Sequence, residues 1–158
     1  MLTVVNEETI DCDLFNAEED ALVITVNTVG AMGRGIALSC KKKYPDLYKK
    51  YYADCKAGLF HYDKIGMVRE DRPIILFPTK KEFWVKSNAN HIAYLSERLP
   101  LACKEWGIES VAIPPLGMVN GWLKDKEIIK IVAALKTGFN GSGIDAKLYL
   151  PDKLIELL

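Results

Sequence analysis

Very little in this chain of 158 residues is lopsided. Lysine plus arginine equals aspartate plus glutamate at 21 each, so no excess of one sign draws the whole surface to nucleic acid or to a membrane. Any contact with nucleic acid has to be local, through runs such as Lys41, Lys42 and Lys43 or the pair Lys80 and Lys81, which otherwise read as solvated faces. No apolar run reaches the length of a membrane span, and no basic segment leading into an apolar one opens the sequence; a soluble, cytoplasmic protein is expected. Cys12, Cys40, Cys55 and Cys103 lack close paired spacing and there are two histidines, so neither a zinc site nor a disulfide framework is indicated. The dinucleotide fingerprint GxGxxG does not follow any strand-like run, and GxxxxGK[ST] is absent. Internal repeats and low-complexity tracts are missing too, and the length suits one domain over residues 1–158.

What is present is concentrated in residues 21–43. The run at 22–26 is apolar and β-branched enough to be a strand covered on both faces. It ends in Asn27, and then Gly30, Gly33 and Gly35 let the backbone turn tightly and approach a ligand without a Cβ in the way. Ile36, Cys40 and Tyr44 recur every four residues and predict a helix. A buried strand, a glycine-rich turn and a helix N-terminus make an anion site, because unpaired N–H groups and the helix dipole face the guest. A phosphate or pyrophosphate is the expected guest; an ordinary βα turn that merely needs glycine is the alternative.

The remaining elements alternate. Strands are predicted at 2–5, 65–69, 73–77, 108–113 and 145–150. Helices are predicted at 45–55, from a cap at Ser87 through Glu105 with a kink at Pro100, and around Ile128, Ile131, Val132 and Leu135. Residues 6–9 read as a turn, and 138–143 as a chain break. Asp13 is either a turn cap or an acceptor for a ligand's donor hydrogen. Residues 114–123 repeat the strand, glycine and helix logic, so two loops at neighbouring strand ends would clasp a larger ligand. Lys80 lies just past a strand end, with Phe83 and Trp84 placed to limit water access and depress its pKa. His91 reads as a surface or supporting histidine. The order gives a three-layer α/β/α domain around a mixed sheet.

These residues, in this order, carry a resemblance: Asp13; Ala21 through Gly30; Met32, Gly33, Arg34, Gly35 and Ile36; Lys41 through Pro45; Phe77, Pro78, Thr79 and Lys80; and Ile113, Pro114, Pro115, Leu116 and Gly117. Together they resemble a macro domain, and within that family the macro domain of DNA ADP-ribosyl glycohydrolase antitoxins, which remove ADP-ribose from thymidine bases and so reverse a DNA-modifying toxin. The resemblance implies a monomeric hydrolase that needs no metal and no cofactor. It would bind ADP-ribose, act on ADP-ribosylated single-stranded DNA and have a cognate ADP-ribosyltransferase toxin as its counterpart.

Residue by residue, the resemblance implies that Asp13 accepts from the adenine amino group, with Leu14 beside it and Tyr149 bordering the adenine pocket. Asn27 faces the distal ribose and belongs with Lys80 to the catalytic pair. Gly30, Met32, Gly33, Arg34, Gly35 and Ile36 wrap that ribose and its phosphate. Pro115, Gly117, Met118, Val119, Asn120, Gly121 and Trp122 cover the diphosphate. The subgroup usually reads LGCGNGGL where this chain has Val119 and Trp122 in place of two glycines, and Cys12 where a glycine often precedes the aspartate. Those bulkier residues keep open an ADP-ribose binding module without turnover, and a pocket that reads the sugar nucleotide more than its carrier keeps open a hydrolase of ADP-ribosylated acidic side chains in protein.

Overall fold

Short apolar runs between polar turns become six strands in the computed structural model, which describes residues 1–119 and 122–158. They are β1 (Leu2–Asn6), β2 (Ala21–Val26), β3 (Gly66–Arg69), β4 (Pro73–Pro78), β5 (Ser110–Ile113) and β6 (Asp145–Leu150). One sheet holds them in the order β1-β6-β5-β2-β4-β3, all parallel except β3, which pairs antiparallel with β4. Five helices cover it: α1 (Gly35–Lys43), α2 (Pro45–Lys56), α3 (Ala89–Glu105), α4 (Asp125–Phe139) and the short α5 (Asp152–Ile155).

The period of two along the strands sorts side chains between two cores. Ala21, Val23, Ile75, Phe77, Val111 and Ile113 join Ile92, Leu95, Leu99, Ile131 and Leu135 from α3 and α4. Leu22, Ile24, Ile74, Leu76 and Ala112 join Cys40, Leu47 and Tyr51 from α1 and α2. The three-layer α/β/α arrangement with a mixed sheet follows from that division. Among the described residues no helix is long and apolar enough to cross a membrane.

Three local expectations need correction. The cap of α3 is Asn88, whose side chain accepts from the His91 N–H at 3.2 Å; Ser87 stays outside the helix. The strand expected from residue 108 begins at Ser110, because Gly107 adopts φ +69° and the Ile108 N–H is still bonded to the Cys103 carbonyl at 2.8 Å. The turn expected at residues 6–9 is present, as the 3₁₀ turn Glu7–Ile10 capped by Asn6.

The helix expected through Glu105 with Pro100 inside it is α3, which runs through Pro100 to Glu105. Proline has no N–H to give the Ser96 carbonyl four residues earlier. Gly138, expected to break the chain, lies inside α4 and faces that carbonyl: a Cβ there would stand 3.1 Å from Ser96 O and 3.0 Å from Glu97 Cα. The absent side chain lets the two helix backbones meet. Alanine normally stabilises a helix interior relative to glycine by up to about 1 kcal/mol. Here Gly138→Ala is expected to reverse that sign and destabilise by roughly 1–3 kcal/mol, read as a lower urea midpoint at unchanged m-value; a stability gain would show that the contact can yield.

Candidate active site

Parallel pairing puts the C-terminal ends of β2, β4, β5 and β6 on one edge of the sheet, and the cleft opens there. Pairing between β2 and β4 continues past the strands: Thr79 N–H donates to Val26 O at 3.0 Å, and Thr28 donates through N–H (2.9 Å) and Oγ (3.0 Å) to Lys81 O. Lys80 is thereby held across from Asn27. On the far side of β4, His91 Nε2 lies 3.0 Å from Pro78 O while its ring stacks on Tyr62 at 3.6 Å. A carbonyl can only accept, so Nε2 carries the hydrogen. Burial holds this imidazole below its ordinary pKa, which suits a neutral brace.

Asn27 is buried and organises the first loop. Its Oδ1 accepts from the N–H groups of Val29, Gly30 and Ala31 at 3.1, 3.2 and 3.2 Å, and its Nδ2 donates to Ala31 O at 2.9 Å. The Tyr51 hydroxyl donates to Asn27 O at 2.7 Å and approaches Oδ1 at 3.0 Å. Gly30, at φ +89°, packs against α2, where an added Cβ would meet Tyr52 Cδ2 at 3.2 Å. Gly33 and Gly35 behave differently: nothing lies within 4 Å of a Cβ built on either, and that open space is the cleft. Gly35, at φ +56°, opens α1, whose N-terminus has no side-chain cap, so its first amides remain available to an anion.

The cleft has two lobes, of about 670 and 570 Å³, that share Thr25, Gly35, Ile36, Thr79 and Lys80. Asp13, Leu14, Pro115, Gly117, Val119 and Tyr149 line the first lobe. Asn27, Gly33, Arg34 and Trp122 line the second, together with Phe83 and Trp84. Lys80 stands at the junction. Met32 and Met118, expected at the ligand, have side chains buried in the two cores. Asn120 and Gly121 lie outside the described residues.

Several side chains come with their geometry explained. Asp13 is a turn cap, accepting from Phe15 N–H at 3.0 Å, while its residue also faces the cleft. The Tyr149 hydroxyl donates to the buried Glu19 at 2.7 Å, leaving its ring to the cleft wall. Lys80 Nζ reaches Phe83 O at 3.4 Å and sits 4.3 Å from the centroid of the Trp122 ring. Burial first, and then the charge of Arg34, lower its pKa below the ordinary lysine value. The depression anticipated from Phe83 and Trp84 is present in direction, but the ring found over the amine is Trp122; Phe83 and Trp84 are exposed and meet each other edge to face at 4.8 Å.

Sequence reasoning missed two residues. Tyr51 lies on the helix expected at 45–55, with nothing in the sequence to mark it as the residue that holds Asn27. Ser87 was read as a cap, yet it is 3% exposed, lines the cleft, and its Oγ has no hydrogen-bond partner among the described residues. Gly117, at φ +68°, leaves the space beside it: a Cβ there would stand 3.1 Å from Ser87 Oγ and 2.7 Å from Ile92 Cδ1. Among the described residues no group of three His, Cys, Asp or Glu could hold a metal ion.

A parallel-sheet edge with an uncapped helix N-terminus, a second glycine loop and a partly buried lysine defines an α/β protein whose cleft can receive an anion, with an amine where its two lobes meet. Comparison with known proteins narrows that class. No protein-family model matches the sequence. The chain is similar to a DNA ADP-ribosyl glycohydrolase of Mycobacterium tuberculosis, 37% identical over 145 residues, which are 88% of this chain and 40% of that protein. The solved macrodomain of Mycobacterium tuberculosis DarG superposes with a TM-score of 0.83 at 34% identity, covering 96% of this chain and 99% of the other. Thermosipho africanus DarTG in complex with ADP-ribose superposes with a TM-score of 0.82 at 26% identity, covering 96% of this chain and 42% of the other. The chain belongs to the macrodomain family and is closely related to the macrodomains of DarG and DarTG. It spans about 40% of the length of the glycohydrolase relative that it matches.

Tyr51→Phe tests the loop's support. Loss of the hydroxyl leaves the buried Asn27 oxygens short of a donor and is expected to cost about 1–2 kcal/mol in chemical denaturation; unchanged stability would show that the loop holds without this contact.

Proposed function

We propose that this macrodomain hydrolyses the bond between ADP-ribose and a thymidine base in DNA, with Lys80 as the reacting group. The observation that carries the reading is the position of the Lys80 amine: half-buried, with a lowered pKa, where the two lobes meet, in a chain closely related to DarG. Adenine would lie by Asp13, Leu14 and Tyr149. The diphosphate would cross the uncapped start of α1 beneath the Gly117 loop, and the distal ribose would rest between the Asn27 loop and Lys80. Asn27 then acts by shaping that loop, since its amide oxygen is committed to three backbone donors.

In the reaction, the anomeric carbon gains positive character as its bond to the thymine nitrogen breaks, and the adjacent diphosphate stabilises it. The bonding electrons leave with the base, which takes up a proton. Neutral Lys80 forms the new C–N bond and loses a proton; sugar-ring opening of that adduct gives an imine, and water then releases ADP-ribose and restores the amine. The natural counterpart of such an enzyme is an ADP-ribosyltransferase toxin that modifies thymidine. The adenosine and diphosphate contacts do not involve the carrier, so hydrolysis of ADP-ribosyl esters on protein is the second reading; release from thymidine-modified single-stranded DNA but not from glutamate-modified protein decides between them.

Lys80→Ala is expected to leave the melting temperature near wild type while lowering turnover by about 100-fold or more. A lysine nucleophile is active when neutral, so kcat/KM of the wild type should rise with pH and level off below the ordinary lysine pKa. Reductive quenching should leave ADP-ribose attached to Lys80 in peptide mass spectra. Near-normal turnover without the amine removes it from the mechanism, and a rate that falls with rising pH assigns the work to the protonated form.

Ser87 gives an independent readout. Its buried hydroxyl has no partner among the described residues, so Ser87→Ala should not lower stability, whereas ADP-ribose affinity should fall by about 3- to 10-fold if the hydroxyl donates to the ligand. Unchanged affinity in titration calorimetry would leave this hydroxyl a buried cost with no use.

A further inference from the structure

We infer that Phe83, Trp84 and Trp122 form a nucleobase-stacking site beside Lys80, which receives the base from which ADP-ribose is removed. The inference deepens the proposed function and rests on its DNA substrate. All three rings line the lobe that ends at Lys80, and all are exposed, at 56%, 60% and 61%. Two of the three tryptophans in the chain are thus spent on one end of one cleft. Large rings left in water are otherwise unfavourable, and their faces are the surfaces on which planar bases stack.

Backbone geometry adds a separate argument. Trp122 has φ +56°, in the left-handed region that favours glycine and that a bulky residue occupies at a cost. Glycine would relieve that strain, so the indole is retained against the local conformational preference. Reaction geometry then places the base. The anomeric carbon has to come within about 3–3.5 Å of Lys80 Nζ, and the base is one bond further on. The Trp122 centroid is 4.3 Å from the same nitrogen, so a base attached to that carbon falls within reach of the ring. Among the described residues the first lobe offers no comparable exposed cluster: its large exposed apolar residue is Val119, and its rings, Phe15 and Tyr149, are half-buried and buried. Arg34, in the second lobe, supplies a cation for a neighbouring strand phosphate. A carboxylate ester has no ring face to present, so this site favours a base over an acidic side chain as carrier.

The test measures binding in a Lys80→Ala background, which keeps the substrate intact, with three probes: ADP-ribose, a single-stranded oligonucleotide bearing ADP-ribosyl-thymine, and a peptide bearing ADP-ribosyl-glutamate. Trp122→Gly is expected to weaken the oligonucleotide by about 10-fold while leaving ADP-ribose and the peptide within about 2-fold. Trp122→Phe should restore most of the loss, and Trp84→Ala and Phe83→Ala should each show the same contrast. Trp122→Gly should melt no lower than its parent, which separates lost stacking from lost folding. Equal losses for all three probes would place the indole over the nucleotide itself and overturn the inference, as would no loss for the oligonucleotide. Turnover of the same oligonucleotide by the wild-type chain is scored separately: its absence overturns the proposed reaction, whereas the binding contrast alone decides the stacking site.

Discussion

Backbone pairing between β2 and β4 does not stop where the strands stop, and the site depends on that continuation. Thr79 still bonds Val26, and Thr28 reaches Lys81, so the residue between Thr79 and Lys81 is fixed against the loop that begins at Asn27. A lysine on a free loop would have to be ordered each time it acted. Here the ordering is shared with the folding of the sheet, and the amine is presented at the junction of the two lobes before any ligand arrives. Asn27 extends the same economy to the other side. One amide oxygen gathers three N–H groups, and Tyr51 ties the assembly to α2.

The electrostatics of Lys80 follow from what surrounds it. Desolvation disfavours the ammonium, and Arg34 repels it. The face of Trp122 works in the opposite sense, since a ring quadrupole attracts a cation. The balance lies on the side of a lowered pKa, which raises the neutral fraction available at ordinary pH. On the proposed reaction, a base inserted against Trp122 would displace the amine from that ring and remove more water, which would shift the lysine further towards its neutral form.

Much of the fold was legible because it is written in short-range patterns. Apolar runs such as residues 22–26 and 73–77 need only their own composition to read as buried strands, and the glycines at 33 and 35 announce a turn before a helix. Roles that depend on distant partners were not legible. Gly30 looks like its neighbours in sequence, yet Tyr52 is what excludes a Cβ there. Nothing local distinguishes Tyr51 as the residue that pins Asn27. Pro100 reads as a kink because a proline costs a hydrogen bond; its tolerance within α3 becomes intelligible only beside Gly138 of α4, which packs closely on the freed Ser96 carbonyl. Ser87 and Asn88 are equally good caps by composition; Asn88 caps the helix and Ser87 lines the cleft.

The departures from the family's glycine pattern acquire a physical meaning from the backbone. Cys12, which stands before Asp13 where a glycine often does, has φ +54°, and Trp122 has φ +56°. Both sit in the conformation that explains why glycine is usual there. The fold has therefore kept the turn and accepted the strain. For Cys12 the side chain is short and lies at the lip of the first lobe, so little follows. For Trp122 the same strained turn carries a large ring across the cleft to Lys80. A backbone shape that otherwise serves close approach to a ligand has become, at this position, the means of holding a side chain over the Lys80 amine.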